Sequence, residues 1–229
     1  GAGIVASDLF VSRSGNNLVV KINDPDNATA TDQIIIENWY SSGQYQIETL
    51  VFSDGSSLSK AQLNTMGNVV YGTNGADTLN GFADNNTLYG YGGNDTITDS
   101  NGSDTIDGGA GDDVITDSGS GTNTLLGGEG NDTITFGSAG SNTIDGGSGN
   151  DVIKAENPYG YTANTLTGGT GNDRIESGGS ADTYLFNRGD GQDVIRDYDY
   201  YSYGKTDQLM FGAGIVASDL FVSRSGNNL

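Results

Sequence analysis

The amino-acid sequence predicts a protein dominated by β-structure, in which a parallel β-solenoid follows a small α+β region and ends in a C-terminal cap. Three observations support this prediction. A nonapeptide pattern repeats through the middle of the chain, every repeat carries an apolar residue at the same place, and the sequence on either side lacks the pattern. Short repeats of this kind are typical of solenoids, in which each unit buries its apolar residue against its neighbours.

The repeat has the form G-G-x-G-x-D-x-U-x, where U is apolar, and it extends from Gly72 to Arg196. Clear copies include GYGGNDTIT, GGAGDDVIT, GGEGNDTIT and GGSGNDVIK, and weaker copies fill the gaps between them. Turn residues precede strand residues in each unit, so each unit predicts one tight turn and one very short strand. We count thirteen units, whose U residues are Leu79, Leu88, Ile97, Ile106, Ile115, Leu125, Ile134, Ile144, Ile153, Leu166, Ile175, Tyr184 and Ile195.

The N-terminal region, 1–67, is predicted to form a small α+β module. Its β-branched and alternating stretches predict strands at 18–22 and 32–39 and two more within 38–58. Residues 58–66 predict a short helix with Ser59 as its N-cap. Four aromatic side chains are able to bind a sugar, but we expect them mainly to pack a small core: Trp39, Tyr40, Tyr45 and Phe52.

The first eighteen residues, GAGIVASDLFVSRSGNNL, recur letter for letter at 212–229. The two copies begin 211 residues apart, a period far longer than one supersecondary unit, which predicts a tandem array of modules. We expect the second copy to help cap the solenoid and the first copy to be the less well anchored. The tyrosines before it are expected to cover the open end: Tyr198, Tyr200, Tyr201 and Tyr203. The predicted domains are 1–67, the solenoid at 68–196, and the cap at 197–229.

Composition restricts the chemistry that the chain can perform. The chain has 30 acidic and 9 basic side chains, a net charge of −21, and neither histidine nor cysteine. This charge disfavours nucleic acid and anionic membranes and favours cations, and no apolar run is long enough to span a bilayer. The commonest nucleophilic pairs and ordinary zinc sites need His or Cys, and no carboxylate pair stands out for glycoside hydrolysis. We therefore expect no enzymatic activity, no nucleic-acid partner and no membrane insertion.

The six well-formed nonapeptides resemble the RTX (repeats-in-toxin, haemolysin-type) calcium-binding repeat family. The flanking stretches GAGIVASDLFVSRSGNNLVV, NWYSSGQYQIETLVFSDGSSL and DTYLFNRGDGQDVI resemble the segments that border such repeats in bacterial secreted proteins. The resemblance implies a parallel β-roll with Ca²⁺ held in its turns. It also implies an extracellular or cell-surface bacterial protein that is exported by type I secretion, with an export signal that this sequence does not include.

The two edges of such a roll differ in their side chains. Consecutive turns lie on opposite edges, so each turn stacks on the turn two units away. Oxygen ligands from carboxylates and backbone suit Ca²⁺. The odd-numbered units predict about six Ca²⁺ ions on one edge, between the stacked carboxylates of Asp77, Asp95, Asp113, Asp132, Asp151, Asp173 and Asp193. The other edge is predicted to be largely metal-free, with side chains that hydrogen-bond along the column at Asn86, Asn123, Asn142 and Asn164.

The glycines of the odd-numbered turns are expected to add backbone carbonyl ligands, because glycine permits the close approach that such turns need. Two acids of the even-numbered units, Asp104 and Asp182, are weaker candidates for ligands. The expected carbonyl ligands include those of Gly72, Gly75, Gly90, Gly93, Gly108, Gly109, Gly111, Gly127, Gly128, Gly130, Gly146, Gly147, Gly149, Gly168, Gly169, Gly171, Gly189 and Gly191.

These features together favour a non-enzymatic Ca²⁺-binding structural module, an extender or spacer flanked by identical modules in a large secreted or surface protein. Like charges along the Asp column repel one another, so we expect the chain to be disordered without calcium and folded with it after export. One alternative is the carrier region of a secreted enzyme or toxin. Another is an ice- or glycan-binding surface formed by an outward threonine ladder at Thr87, Thr105, Thr124, Thr143, Thr165 and Thr183.

Overall fold

A computed structural model describes residues 3–23, 32–137, 139–156, 162–179, 181–198 and 206–224. The chain divides into two compact units, Gly1–Val70 and Tyr71–Leu229. Among the described residues, no helix is long and apolar enough to cross a membrane.

The first unit contains a three-stranded antiparallel sheet, a β-hairpin and one helix. The sheet has the order β1 (Leu9–Ser14), β2 (Asn17–Ile22), β3 (Gln33–Ile36). The hairpin pairs β4 (Thr49–Val51) with β5 (Ser57–Ser59), and α1 (Lys60–Gly67) follows directly. Short 3-10 turns lie at Ala6–Asp8 and Gly43–Tyr45.

The predicted cap of the helix is confirmed. The Ser59 hydroxyl accepts a hydrogen bond from the Gln62 backbone N–H, and the Gln62 side chain accepts one from the Ser59 N–H at 2.9 Å. Two N–H groups that the first turn of a helix leaves unpaired are thus satisfied. The helix can therefore begin directly after β5.

The core of the first unit contains two of the four aromatic residues that the sequence assigned to packing. Trp39 is fully buried, and its indole N–H donates to the Asn64 side-chain oxygen at 2.5 Å. Phe52 is buried, Tyr40 packs against the same cluster, and Tyr45 is exposed. The remaining buried members are apolar: Val11, Leu18, Val20, Leu58 and Leu63.

The second unit is a parallel β-solenoid with two sheets, and successive strands alternate between the sheets. Neighbouring strands of each sheet pair in parallel from β7 and β8 onward. One sheet contains, in spatial order, β6 (Val69–Tyr71), β8 (Thr87–Tyr89), β10 (Thr105–Ala110), β12 (Thr124–Glu129), β14 (Thr143–Ser148), β16 (Thr165–Thr170), β18 (Thr183–Phe186) and β20 (Gln208–Phe211). The other contains β7 (Thr78–Asn80), β9 (Thr96–Asp99), β11 (Val114–Asp117), β13 (Thr133–Phe136), β15 (Val152–Ala155), β17 (Arg174–Ser177) and β19 (Val194–Asp197).

The apolar U residues form two aligned columns inside the roll. Ile106 lies opposite Leu125 and Leu125 opposite Ile144 in one sheet, while Ile115 lies opposite Ile134 in the other. All the U residues are buried except Ile195 in the last strand of its sheet, which is 39% exposed. The predicted parallel β-solenoid is therefore confirmed, and its core consists mainly of two columns of aliphatic side chains, with Phe136 and Tyr184 as buried aromatic members.

The strand β20 was not predicted from the sequence. It pairs in parallel with β18, so that Leu209 lies opposite Tyr184 and Phe211 opposite Phe186. This segment lacks the glycine-rich half of the repeat, which explains why the motif does not reveal it. Among the tyrosines expected to cover the open end, Tyr198 lies beneath the Arg196 guanidinium, 4.5 Å from its ring centre. Tyr200, Tyr201 and Tyr203 lie outside the described residues.

The two copies of the opening segment differ in how they are held, and the expectation that the first is less well anchored is wrong. In the first copy Val11 is 4% exposed and belongs to a strand within the sheet. The identical residue of the second copy, Val222, is 70% exposed and belongs to no strand. The first copy is anchored because the chain after it supplies β2 and the apolar core.

This difference predicts opposite effects of the same substitution. Val11→Ala removes buried methyl groups and should lower the free energy of unfolding of the first unit by about 2 kcal/mol. Val222→Ala changes an exposed side chain in an identical local sequence and should have almost no effect. Chemical denaturation followed by Trp39 fluorescence measures the first unit in both variants. Equal destabilisation by the two substitutions would contradict the assignment of Val11 to the core.

Candidate metal centre

The odd-numbered units place their sixth-position acids in one continuous column. The backbone N–H of each Asp donates to Oδ1 of the corresponding Asp in the next turn, at 2.7–3.0 Å. This ladder fixes each carboxylate against the adjoining turn. The structure therefore brings together the seven acids predicted for one edge, Asp77, Asp95, Asp113, Asp132, Asp151, Asp173 and Asp193.

The second carboxylate oxygen has no partner in the middle of this column. The Oδ2 atoms of five successive acids are buried and accept no hydrogen bond: Asp95, Asp113, Asp132, Asp151 and Asp173. Each of these residues is at most 2% exposed. A buried anionic oxygen without a donor or a cation is strongly unfavourable, so five in one column call for a compensating positive charge.

The first member of the column differs from the later ones. Oδ2 of Asp77 accepts hydrogen bonds from the Thr73 backbone N–H at 2.6 Å and from the Thr73 hydroxyl at 2.8 Å. This carboxylate is thus already satisfied by its own turn. A cation would bind least strongly at this end of the column, because it would have to replace these bonds.

In the middle of the column, the first glycine of each odd-numbered turn leaves space beside the unpartnered oxygen. A Cβ atom on Gly108 would lie 2.5 Å from Asp113 Oδ2 and 2.6 Å from the Gly127 carbonyl oxygen of the next turn. The same pairing of carboxylate and carbonyl oxygens is found beside Gly72, Gly90, Gly127 and Gly146. Oxygens from two stacked turns therefore converge on a space that any side chain would fill.

The remaining predicted glycines allow the turns to stack closely. Gly111 has φ of 135°, and a Cβ there would overlap the Gly93 carbonyl of the preceding turn. Gly75 differs, because a Cβ on it would meet nothing closer than the Thr73 hydroxyl at 3.8 Å. The others with positive φ in these turns are Gly93, Gly109, Gly128, Gly130, Gly147, Gly149, Gly169, Gly171, Gly189 and Gly191.

The opposite edge repeats the backbone ladder with amides in place of most carboxylates. The backbone N–H of Asn123 donates to Oδ1 of Asn142 at 3.0 Å, and that of Asn142 to Oδ1 of Asn164 at 3.1 Å. The predicted hydrogen bonding along the asparagine column is confirmed by these contacts. The column continues through two acids, Asp104 and Asp182, which accept from Asn86 and Asn164.

The asparagine side chains also supply the donor that the aspartates lack. Nδ2 of Asn86 donates to the Phe82 carbonyl at 2.8 Å, Nδ2 of Asn142 to the Gly137 carbonyl at 3.2 Å, and Nδ2 of Asn164 to the Thr162 carbonyl at 3.1 Å. An amide therefore bonds to its own turn without any ion. An aspartate in the same ladder presents a second acceptor and needs a cation or a proton instead.

Two buried acids beside the asparagine column were not recognised from the sequence. Asp99 and Asp117 occupy the first position of their units, where the motif has glycine, and this departure was the available signal. Their Oδ2 atoms, like that of Asp104, are buried without a partner. In the last even-numbered unit the equivalent residue is Ser177, whose hydroxyl donates to Asp182 at 2.7 Å. Near Asp104, the buried oxygens of the asparagine edge are therefore less completely satisfied by hydrogen bonds.

Burial makes the acids of both edges difficult to ionise in the absence of a cation. Burial raises the pKa of Asp151 to about 7. The hydrogen bond from the Asp132 backbone N–H lowers this pKa, but the negative charges of Asp132 and Asp173 raise it further. Burial also raises the pKa of Asp113 to about 6 and that of Asp99 to about 7. Charge at these positions is thus favourable only when a counter-charge lies nearby.

The ligand atoms available on the aspartate edge fit Ca²⁺. All of them are oxygens, from carboxylates and from the backbone carbonyls that the glycines leave accessible. Ca²⁺ is a hard cation that prefers oxygen ligands and tolerates a flexible coordination geometry. No group of three or more His, Cys, Asp or Glu side chains able to hold a metal occurs in the described part of the chain. A Ca²⁺ ion on this edge would therefore take most of its ligands from backbone carbonyls.

Comparison with known families agrees with this chemistry. A family model of the RTX calcium-binding nonapeptide repeat matches the chain in four copies, at 64–97, 89–116, 117–153 and 159–195, which together cover more than half of the sequence. The chain belongs to the RTX calcium-binding repeat family. A second family model, the haemolysin-type calcium binding protein related domain, matches residues 17–62 of this RTX chain. No curated protein and no solved structure matches the chain significantly.

The family assignment makes the RTX chain a Ca²⁺-binding repeat module. RTX repeats are typical of secreted proteins. The unpartnered oxygens and the glycine cradles are the features of this structure that fit the ion.

Two adjacent acids provide a matched test of the aspartate edge. Asp113→Asn keeps the Oδ1 acceptor but places an N–H₂ group where Oδ2 lacks a partner, so calorimetric titration should show the loss of at least one bound Ca²⁺. Asp112→Asn removes the same charge from an exposed side chain that accepts from Asn131, and it should leave the number of ions unchanged. Equal stoichiometry in the two variants would contradict the assignment of Asp113 as a ligand.

The raised pKa values predict that protons and calcium ions are alternative ways of neutralising the buried carboxylates of the folded chain. Because the folded pKa of Asp99 and Asp151 is about 7 and the ordinary value is 3.8, the calcium-free folded chain binds more protons than the unfolded chain between these values. Its free energy of unfolding should therefore fall as pH rises from about 4 to about 7. With calcium the trend should reverse, because protons then compete with the ion. Far-UV circular dichroism of the chain in EDTA should therefore show more β-structure near pH 4 than near pH 7, where the chain is expected to be disordered, and the order should reverse with calcium. The same pH trend under both conditions would contradict this interpretation.

Proposed function

We propose that this RTX chain is a non-enzymatic structural module that folds when it binds Ca²⁺ outside the cell and serves as an extender or spacer in a large secreted or surface protein. One observation supports the proposal above the others. Five buried carboxylate oxygens in a single column have no partner within the protein. A fold with such a column is stable only when cations reach it, so calcium becomes part of the folded structure.

The ions in this proposal lie between stacked turns of the aspartate edge. Six hydrogen bonds of the ladder join the seven aspartates and define six intervals. About six ions would occupy these intervals, each with a carboxylate from one turn and backbone carbonyls from the stacked turns. The interval at Asp77 fills last, since Thr73 already satisfies that carboxylate.

The same electrostatics make folding depend on the compartment. The net charge of −21 and the buried acids oppose compaction when calcium is scarce, as it is inside cells. Extracellular calcium modules typically bind with dissociation constants of about 10⁻⁴–10⁻³ M. A chain of this kind stays unfolded for export by a type I route and folds where calcium is abundant.

A spacer role follows from the architecture and the duplication. A solenoid is a stiff, elongated element whose units contact mainly their neighbours. The identical segments at 1–18 and 212–229 indicate that modules follow one another in tandem. Neighbouring copies of this module, together with calcium, are therefore its proposed partners. A carrier region for a secreted enzyme or toxin remains the alternative within the same class of fold.

The threonine ladder supports a second candidate function. Thr105, Thr124 and Thr143 lie directly opposite one another in the parallel register, and Thr87, Thr165 and Thr183 extend the row. Regular threonine rows suit a repeating surface such as ice or a glycan. Replacing Thr124 and Thr143 with tyrosine would abolish binding to such a surface without unfolding the roll if this alternative holds.

Calcium titration of the full chain tests the proposed function. Far-UV circular dichroism should show a disordered chain in EDTA and a cooperative transition to β-structure on addition of calcium. Magnesium at the same concentration should act weakly, because it prefers a smaller, octahedral site and releases its water reluctantly. A chain that is already folded in EDTA would overturn the calcium-dependent switch.

A further inference from the structure

The duplicated segment presents two different faces, and each copy covers only one of them. Ile4 of the first copy is 45% exposed, whereas the equivalent Ile215 of the second copy is less exposed and lines a groove at the end of the roll. The pattern is reversed at the next apolar position. Val11 of the first copy is 4% exposed and Val222 of the second is 70% exposed. The face that one copy buries, the other leaves open.

The face covered in the second copy contacts the last turn of the roll. The Arg188 guanidinium donates to the Gly214 carbonyl at 2.9 Å and pairs with the Asp219 carboxylate at 3.1 Å. Ile215 lies in the same groove as Phe186 and Phe211, whose rings meet edge to face. This face therefore offers a backbone carbonyl, a carboxylate and an aliphatic side chain, and the roll supplies the cation Arg188.

The face covered in the first copy belongs to the core of the α+β unit. Val11 packs with Leu18 and Trp39, and β1 pairs with β2 along its whole length. The residues equivalent to β2 in the second copy include 228–229 and lie outside the described residues. In the first copy the strand face is thus satisfied by the chain immediately after it.

The 3-10 turn is the same in both copies, but the glycine before it has different surroundings. A Cβ on Gly3 would overlap the Ser53 hydroxyl, whereas a Cβ on Gly214, which has φ of 86°, would meet nothing within 4 Å. A 3-10 turn forms at Ala6–Asp8 and at Ala217–Asp219, and the preceding valine has φ of −121° in both. The turn aspartate accepts from that valine N–H at 2.9 Å in the first copy and 3.2 Å in the second. Docking on the roll therefore leaves the 3-10 turn unchanged, but it requires the arginine to reach the Gly3 carbonyl beside Ser53.

We propose that the face of the first copy formed by Gly3, Ile4 and Asp8, in which Ile4 is exposed and Asp8 is half-buried, is a docking surface for the roll end of another copy of this chain. Arg188 of the preceding module recognises it, as Arg188 recognises Gly214 and Asp219 within this chain. One eighteen-residue segment then serves both neighbours: its turn contacts the roll before it and its strand starts the α+β unit after it. This inference rests on the proposed tandem array, and it adds that the array has stiff junctions instead of flexible linkers.

Spin labelling of a two-module chain tests this junction. The chain consists of residues 1–211 followed by residues 1–229, so that the shared segment occurs once between the modules. Because the sequence has no cysteine, labels can be attached at Lys154→Cys in the first module and Lys60→Cys in the second, both exposed positions. With calcium, electron–electron distance measurements should give one narrow distribution. A broad distribution in the calcium-loaded chain would overturn the proposal.

A variant that lacks the contacts of Arg188 and Ile215 provides the comparison with the unmodified two-module chain. Arg188→Gln in the first module combined with Ile215→Ser in the shared segment should cause the loss of the narrow distribution, because both contacts with the roll end are weakened. An unchanged narrow distribution would show that other residues hold the junction and would also overturn the proposal. The calcium stoichiometry separates this result from the proposed function. Twice the single-module number of ions, together with a broad distribution, would reject the stiff junction while leaving the calcium-dependent module intact.

Discussion

The structure depends on one arrangement: a backbone N–H from each turn donates to a carboxylate of the next turn, and that carboxylate keeps a second oxygen for which the protein has no donor. The first oxygen sets the spacing and register of the roll. The second makes the register unfavourable unless a positive charge is supplied. The aliphatic stack inside the roll is only one side chain wide per strand, so it contributes too little burial to outweigh this column by itself. We infer that the calcium dependence proposed for this RTX roll arises from the same side chains that hold its turns together.

The asparagine edge shows how the same ladder is satisfied by hydrogen bonds in place of a cation at most of its turns. The ladder is the same, but the side-chain amide of Asn86, Asn142 or Asn164 donates to a carbonyl of its own turn. At these turns the ladder residue of the two edges differs by one terminal atom, N–H₂ against oxygen, and we infer that this difference decides which turns need a cation. The acids Asp99, Asp104 and Asp117 interrupt this edge, and their raised pKa values show that burial without a partner is unfavourable there too.

The turns, the inward strand positions and the two edges of the roll could be predicted because each is specified by a fixed position of the nonapeptide. Glycine marks the turns, the apolar residue marks the inward strand position, and the choice between Asp and Asn distinguishes the edges.

The parts that could not be predicted depend on tertiary context. The strand β20 forms because β18 offers it a free parallel edge, and nothing in QLMF specifies a repeat. The roles of Asp99 and Asp117 arise from burial at a position where the motif has no side chain. The two copies of the opening segment show the limit most clearly, since Val11 is buried in the core of the first unit while the identical Val222 is exposed.

The proposed calcium sites lie on one edge of the roll, between the stacked aspartates. A crystal structure of the calcium-loaded chain, with anomalous scattering measured at a wavelength where calcium contributes, would locate the ions. We expect a row of anomalous peaks beside Asp95, Asp113, Asp132, Asp151 and Asp173, and none beside Asn123, Asn142 and Asn164. A comparable row of peaks on the asparagine edge, or a fully folded roll without peaks at the aspartates, would contradict this placement of the ions.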